Sequence, residues 1–169
     1  RMEYRFAGKM LPDARAVLNS GVMLHSQSPQ SLALDQKFPV SLEFQFLADL
    51  GKGPRPTGNV CTPGTNIEIG GKLIEQHITK SSAPTFPADE WVKVEAEVHG
   101  SDEIIHRING KEVLRYQHPQ LDPKGAVVNA DALFAAGAPL LLGSGHIALQ
   151  AEGQPVWFRN IEIKPLPAK

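Results

Sequence analysis

The sequence lacks the features that mark several classes of protein. Its single cysteine, Cys61, excludes an intrachain disulfide and a zinc site built from several cysteines. No apolar run approaches the roughly 20 residues that a membrane-spanning helix needs. The net charge of -1 leaves no excess of Lys and Arg of the kind that attracts nucleic acid or an anionic membrane. We therefore expect no nucleic-acid partner and no membrane span.

What is present is typical of one globular domain. The chain has 169 residues, of which 41% are hydrophobic and 21% charged, so it can bury a sizeable core. The first residues, Arg1-Met2-Glu3, are unlike a signal peptide and read as a strand already under way. We expect a single domain over residues 1–169.

The clearest strand pattern lies in the first third of the chain. Leu42, Phe44 and Phe46 alternate with Glu43 and Gln45, so the two sets fall on opposite faces of a strand. The apolar face predicts contact with a core. The polar face has two interpretations: a solvated surface, or a binding surface on which a carboxylate lies beside a carboxamide.

Short strand patterns recur along the chain, at 2–6, 16–25, 66–69, 72–78, 91–99, 104–108, 113–116, 146–150 and 156–163. Asn19-Ser20-Gly21 interrupts the second of them, which indicates a bulge or the close approach of another group. Gly70-Gly71 and Asn109-Gly110 predict tight hairpin turns. Helix is confined to single turns, of which 131–137 would have Asp131 as its N-cap. Many short strands with little helix predict an all-β fold of two packed antiparallel sheets.

The carboxylates do not form the usual glycosidase pair within one strand. That reaction needs two carboxylates about 5 to 5.5 Å apart for retention, or about 6.5 to 9.5 Å apart for inversion. Glu43 and Asp49 share a face, but at ~3.3 Å per residue they would lie about 20 Å apart. Glu43 is therefore a candidate base that acts alone. Arg159 is a candidate contact for a sugar hydroxyl or for a carboxylate such as Glu43.

The six histidines show no spacing that would place two metal ligands on one face. His25 and His77 lie near loops and are candidate site residues. His146 and Gln150 share strand parity, so both are expected to line the polar face that carries Glu43. Trp91 is not a candidate site residue, and we expect its side chain to pack in the core.

Seven motifs occur in the order and approximate spacing of one known family: Asn19-Ser20-Gly21, Glu43-x-Gln45, Thr57-Gly58, Glu90-Trp91, Asn109-Gly110, Gly145-x-Ile147-x-Leu149-Gln150 and Phe158-Arg159-Asn160-Ile161. The sequence resembles the 3-keto-disaccharide hydrolase family over nearly its whole length. The resemblance implies a concanavalin A-like jelly-roll sandwich, activity on glucosides oxidised at C3, and a periplasmic or extracellular bacterial protein. Compared with the family's pattern, we expect the opening strand to be missing from the N-terminus. His25, Cys61 and Val92 differ from residues common in the family, which affects the expected substrate contacts rather than the fold.

The resemblance also implies a mechanism that needs one carboxylate. A ketone at C3 acidifies the C2 hydrogen, so proton abstraction and elimination can break the bond between C1 and the leaving group. Glu43 is the first candidate for the base, and a nearby histidine is the second. The residues expected to bind the substrate or stabilise its enolate oxygen are Asn19, His25, Gln45, His77, His146, Gln150 and Arg159.

Two matters stay open on the sequence alone. No cofactor is predicted, although a divalent metal ion is compatible with such a site. The alternative function is a non-catalytic, lectin-like module that binds carbohydrate. Two tryptophans and two tyrosines are few for stacking on sugar rings, and this scarcity favours an enzyme.

Overall fold

The computed structural model of the protein describes residues 1–7, 17–125, 127–128, 130–152 and 154–167. Its strands are β1 (Met2–Phe6), β2 (Asn19–Ser26), β3 (Leu42–Leu47), β4 (Asn59–Cys61), β5 (Thr65–Ile69), β6 (Lys72–Ile74), β7 (Ile78–Thr79), β8 (Val92–His99), β9 (Glu103–Ile108), β10 (Lys111–Leu121), β11 (His146–Glu152) and β12 (Val156–Arg159). A 3-10 turn covers Pro29–Ser31, and the short helix α1 covers Asp131–Ala135.

The strands form two antiparallel sheets. Over the described part of the chain, the larger has seven strands in the order β12-β1-β8-β9-β10-β5-β6, and the smaller has five in the order β11-β2-β3-β4-β7. β3 is central in the smaller sheet, between β2 and β4. The predicted all-β sandwich of two antiparallel sheets is confirmed.

Aromatic rings from both sheets meet in the core between them. Phe46 of β3 stacks on Tyr4 of β1 with 4.4 Å between ring centroids, and Phe44 stacks on His106 of β9 at 3.8 Å. All four side chains are at most 1% exposed. A fully buried Phe stabilises a fold by about 1.5–3 kcal/mol relative to an exposed one. The apolar face of β3 therefore holds the sheets together, as its alternation predicts.

His106 is a structural histidine that the sequence analysis did not single out. Its Nδ1 lies 3.1 Å from the carbonyl oxygen of Gly58, and its Nε2 lies 3.1 Å from the hydroxyl of Tyr116. Burial lowers the pKa of His106 to about 4, so the ring is neutral at physiological pH. A neutral ring can donate to the carbonyl and accept from the hydroxyl at the same time.

The tight turns follow the sequence closely. Gly70 and Gly71 both have positive φ, at 58° and 73°, and so do Asn109 and Gly110, at 50° and 81°. Two consecutive residues of positive φ are the mark of the hairpin turn that was predicted at both places. The predicted N-cap at the short helix is wrong, because Ala130 holds that position and the helix begins after it.

The expected core position of Trp91 is also wrong. Its ring lies on the outer face of the seven-stranded sheet, with the Arg5 guanidinium 4.9 Å and the Arg159 guanidinium 3.9 Å from the ring centroid. Such cation–π contacts stabilise an aromatic ring at a surface where it is only half-buried. Arg5 also lies 4.9 Å from the ring of Trp157, which is 53% exposed.

A second, smaller apolar cluster anchors the loop between β2 and β3. Val40 and Leu121 are buried in it, and Phe38 packs against it. The Gln27 side chain fixes the same loop, because its Oε1 accepts hydrogen bonds from the Val40 backbone N–H at 2.6 Å and from the Gln36 amide at 2.7 Å. Phe38 is thus held by both packing and backbone geometry.

Within the described ranges, no helix has the length and hydrophobicity needed to cross a lipid bilayer.

Candidate functional site

The face of the five-stranded sheet that points away from the sandwich core carries a cluster of polar side chains. In register, Gln150 of β11 lies opposite Gly21 of β2, which lies opposite Gln45 of β3. Glu152 lies opposite Asn19 in the next row on this face. We call the side chains gathered here the polar cluster, and its members are Asn19, Glu43, Gln45, Gln150 and Glu152.

The polar face of β3 is not a solvated surface. Glu43 is 5% exposed and Gln45 is 6% exposed, although both point away from the sandwich core. The interpretation of this face as solvated is therefore wrong. A carboxyl group that has lost its water needs compensating partners, or it changes its protonation.

Gly21 makes room for the Glu43 side chain. A Cβ atom at Gly21 would lie 2.8 Å from Glu43 Cγ and 2.9 Å from Glu43 Oε1, closer than atoms can pack. The pairing of β2 with β3 runs without a shift from Asn19 to Leu24, so the glycine marks no bulge. Of the two predictions for this glycine, close approach is confirmed. The Glu43 carboxyl therefore lies across β2, toward the residue of β11 that faces Gly21.

The environment of Glu43 brings its titration to neutral pH. Burial is the main cause that raises the pKa of Glu43 to about 7, and the negative charge of Glu152 adds to it. A hydrogen bond from the Cys61 thiol acts in the opposite direction. The same surroundings raise the pKa of Cys61, chiefly through burial, which keeps that thiol protonated and able to donate. Near pH 7 Glu43 can thus exist as acid or as base.

Three buried oxygen atoms of the cluster have no hydrogen-bond partner among the residues that the structure describes: Oε1 of Glu43, Oδ1 of Asn19 and Oε1 of Gln150. All three are acceptors. A buried polar atom left unpaired costs about 1–3 kcal/mol, so unpaired atoms gathered in one place favour a ligand that supplies hydrogens. Sugar hydroxyl groups have this chemistry.

The remaining atoms of the cluster are fixed by neighbours. Asn19 Nδ2 donates to Glu152 Oε2 at 2.6 Å. Asn59 Nδ2 donates to Gln45 Oε1 at 2.9 Å, which orients the Gln45 amide. With the oxygen of that amide occupied, its N–H group remains the side chain's donor. The cluster therefore combines a titratable carboxyl, amide donors and free acceptors.

The described residues contain no group of three or more His, Cys, Asp or Glu side chains arranged to hold a metal ion. The polar cluster brings together two carboxylates, Glu43 and Glu152, with the amide oxygens of Asn19 and Gln150. Such oxygens suit hard cations such as Ca²⁺ or Mg²⁺. The compatibility of the site with a divalent metal ion stays a prediction.

The structure places His25 and His146 away from the cluster. His25 has a positive φ of 47° and lies where the pairing of β11 with β2 shifts register. Its Nε2 lies 3.1 Å from the carbonyl oxygen of Gly100, and burial lowers its pKa. His146 begins β11 opposite Ser26 and is exposed. His25 thus links the end of β2 to the turn between β8 and β9. His146 lies four residues before Gln150 along β11.

His77 lies at the opposite edge of the sheet. It precedes β7, and its carbonyl oxygen accepts a hydrogen bond from the Thr62 backbone N–H at 3.0 Å. Its Nδ1 is shielded from solvent and has no hydrogen-bond partner. Because β4, β3 and β2 lie between β7 and β11, His77 is remote from Gln150 and Glu152.

Arg159 belongs to the other sheet. It pairs with Glu3 through Nε at 2.7 Å and a terminal nitrogen at 2.6 Å, on the outer face. Its expected pairing with a carboxylate is confirmed, but the partner is Glu3 rather than Glu43. Asp49 also lies outside the cluster, since it is exposed and its Oδ1 accepts a hydrogen bond from the Gly51 N–H at 2.7 Å.

Glu152 is the member that sequence analysis missed. The predicted strand pattern ended at residue 150, whereas β11 continues through Glu152. Its even spacing from Gln150 places both side chains on one face, so strand parity was the available signal.

An open pocket of about 310 Å³ borders the cluster on the side of β11. Met23, Phe38, Pro39 and Ala148 form much of its apolar wall, together with the polar residues Lys37, Gln150 and Glu152. Met23 lies between Ala148 of β11 and Glu43 of β3 in one row of the sheet. The pocket is therefore one strand away from the Glu43 backbone.

Comparison with known families gives one match over nearly the whole chain. The family is described as the 3-keto-alpha-glucoside-1,2-lyase-like domain, and the match covers residues 1–164. A comparison with curated protein sequences finds no match. The resemblance drawn from the sequence motifs is confirmed.

Proposed function

We propose that this chain, which belongs to the 3-keto-alpha-glucoside-1,2-lyase-like family, cleaves the glycosidic bond of glucosides that carry a ketone at C3. One observation supports the proposal most strongly. Glu43 is a buried carboxyl whose pKa is raised to about 7, and its unpartnered Oε1 lies among other unpartnered acceptors. A base poised near the working pH is what proton abstraction from carbon requires.

The proposed reaction begins with the C2 proton, which the C3 ketone acidifies. Ionised Glu43 takes this proton, and the electron pair of the C2–H bond delocalises onto the C3 oxygen as an enolate. The enolate then re-forms the ketone, a C1–C2 double bond appears, and the C1–O bond breaks. The leaving oxygen departs with that bonding pair and acquires a proton. Addition of water across C1 and C2 then gives the free 3-keto sugar, so the net reaction is hydrolysis.

The polar cluster supplies the other groups that this reaction needs. The amide N–H groups of Gln45 and Gln150 are donors for the enolate oxygen. The unpartnered oxygens of Asn19 and Gln150 are acceptors for sugar hydroxyls. Glu152 keeps Asn19 in place through its 2.6 Å hydrogen bond and keeps the pKa of Glu43 high through its charge.

This chemistry differs from ordinary glycoside hydrolysis in what it asks of the site. Direct hydrolysis uses one carboxyl as an acid and a second as nucleophile or base, on two sides of the C1–O bond. Elimination requires one base at C2 and hydrogen-bond donors at the ketone oxygen. The 5% exposure of Glu43 and its near-neutral pKa fit that single role.

The second candidate function is a lectin-like module, since unpartnered acceptors can bind sugar hydroxyls without chemistry. It is favoured by the exposed ring of Trp157, although that ring belongs to the other sheet rather than to the sheet that carries the polar cluster. Both tyrosines are buried in the core. A periplasmic or extracellular location, as the family resemblance implies, is also part of our proposal.

The test offers a 3-keto glucoside and its unoxidised parent side by side and follows release of the aglycone. We expect the 3-keto compound alone to be cleaved, and Glu43→Gln to reduce the rate at least about a hundredfold, the typical contribution of a general base. Asp49→Asn, an exposed carboxylate outside the cluster, is the matched control and should retain full activity. Comparable cleavage of the parent would rule the mechanism out. Tight sugar binding without turnover would favour the lectin-like module.

A further inference from the structure

The pocket beside the polar cluster has mixed chemistry. Among the described lining residues, Met23, Phe38, Pro39 and Ala148 are apolar, and Lys37, Gln150 and Glu152 are polar, with Lys37 as the cation. Leu149 and Ala151 border the pocket through their backbone, because strand alternation turns their side chains to the other face of β11. Gln150 and Glu152 belong both to this pocket and to the polar cluster, so the two spaces are continuous. At about 310 Å³ the pocket has twice the volume of the roughly 150 Å³ cavity that is known to bind benzene in another protein.

Phe38 is a preformed platform in this pocket. Its side chain packs against the apolar cluster that contains Val40 and Leu121. Its backbone carbonyl oxygen accepts a hydrogen bond from the Gln36 amide at 2.8 Å. Met23, on the floor of the same pocket, offers a thioether that contacts aromatic rings favourably. A ring that binds here meets a side chain whose conformation is already fixed, so little conformational entropy is lost.

The position of the pocket relative to Glu43 determines which part of a substrate the pocket can bind. The Glu43 carboxyl lies over Gly21, and Gln150, which lines the pocket, is directly opposite Gly21. The proton to be removed is on C2, and the leaving group is attached to the adjacent carbon, C1. With C2 at the Glu43 carboxyl, a leaving group directed toward β11 enters the pocket.

From this placement we infer that the pocket on β11 is the leaving-group subsite, and that it prefers an aromatic aglycone stacked against Phe38 over a second sugar. A hexose presents hydroxyls around its ring, whereas the side chains of Met23, Phe38 and Ala148 on this wall supply them with no strong hydrogen-bond partner. An aryl group can pack on the apolar wall, and the Lys37 ammonium lies in the same pocket for a polar substituent of the ring. The assignment rests on the proposed function, because it takes Glu43 as the base.

The experiment compares 4-nitrophenyl 3-keto-glucoside with methyl 3-keto-glucoside as substrates. We expect Phe38→Ala to lower kcat/KM for the aryl substrate about tenfold or more, from lost stacking and apolar contact, and to change the methyl substrate less than about threefold. Phe38→Leu should give a smaller loss for the aryl substrate. Leu34→Ala changes a fully exposed residue of the same loop and should affect neither. An equal loss on both substrates would overturn the subsite.

A binding measurement separates this inference from the proposed reaction. Unoxidised 4-nitrophenyl glucoside serves as an unreactive probe, titrated calorimetrically into wild type, Phe38→Ala and Leu34→Ala. If no 3-keto glucoside is turned over but Phe38→Ala weakens probe binding about tenfold, the proposed reaction fails and the aryl subsite stands. If turnover is observed but neither probe affinity nor aryl selectivity depends on Phe38, the reaction stands and the subsite is wrong.

Discussion

At the scale of single residues, the properties of Glu43 come from its neighbours rather than from its own chemistry. The ordinary pKa of a glutamate is 4.5, and the folded protein raises it to about 7 through burial and the charge of Glu152. The residue therefore changes protonation within the range where the reaction would run. Two measurements follow from this shift.

The first concerns stability. A carboxyl whose pKa is higher in the folded state binds its proton more tightly there, so its stabilising contribution is complete below pH 4.5 and is lost as pH rises through 7. The shift from 4.5 to about 7 corresponds to about 3 kcal/mol. Glu43→Gln should therefore be more stable than wild type at pH 8 by up to that amount, and the difference should vanish near pH 4. Urea unfolding at both pH values measures it; an equal difference at both would contradict the raised pKa.

The second concerns catalysis and Glu152. Glu152→Gln removes a negative charge near Glu43 but keeps an oxygen that can accept from Asn19. The pKa of Glu43 should fall, so the acid limb of the pH profile of kcat/KM should move to lower pH. The control is Glu112→Gln, a change at an exposed carboxylate paired with Arg115 on the other sheet, and its profile should match wild type. An unshifted limb in Glu152→Gln would show that the two carboxyls do not interact.

At the scale of elements, the pairing of β2 with β3 shapes the site. Gly21 permits the Glu43 side chain to cross β2, and Gly21→Ala would place a Cβ 2.8 Å from Glu43 Cγ and 3.0 Å from the Phe44 carbonyl oxygen. We expect a loss of about 1–3 kcal/mol in the free energy of unfolding, as for other overpacked sites. Activity should fall further than stability explains, because the carboxyl is displaced.

Gly143→Ala is the matched control for this change, since no atom lies within 4 Å of the added Cβ. Unfolding in urea and kcat/KM at a temperature well below the transition are compared for both variants. Wild-type activity in Gly21→Ala would show that the close contact does not position Glu43.

Local patterns predicted what local chemistry determines. The alternation of β3 gave the correct faces, and the glycine and asparagine turns were placed correctly because positive φ restricts the residue choice. Glu152 was missed because its role depends on pairing with Asn19, which is distant in sequence. The burial of Glu43 was missed because it also depends on neighbours distant in sequence, such as Gly21 and Glu152. Trp91 was misplaced because its ring contacts the guanidinium groups of Arg5 and Arg159 at the surface instead of apolar side chains in the core.

At the scale of the whole molecule, two buried titratable groups give the stability opposite dependences on pH. The pKa of His106 is lowered to about 4, so its contribution is complete above pH 6.5 and is lost as pH falls toward 4. That shift also corresponds to about 3 kcal/mol. Over the same interval Glu43 becomes protonated and adds stability. The two effects should partly cancel in wild type between pH 4.5 and 6.5.

Removing one of the two groups should reveal the other. In Glu43→Gln, we expect the free energy of unfolding to fall steadily from pH 7 to pH 4.5, while wild type stays nearly level. In the double variant Glu43→Gln with His106→Gln, this slope should become much smaller. Urea titrations across the interval measure both, and a level profile in Glu43→Gln would mean that His106 is not the acid-sensitive group.

The central claim is that Glu43 removes the C2 proton of a 3-keto glucoside, and a C2-deuterated substrate tests it most directly. Its turnover in ordinary water is followed by NMR, with the enzyme-free rate of deuterium loss subtracted. We predict that deuterium leaves C2 as the aglycone is released, and that turnover is slower than for the protiated substrate. In Glu43→Gln, deuterium loss and aglycone release should both fall at least about a hundredfold. Release of the aglycone with deuterium retained at C2 would contradict the account.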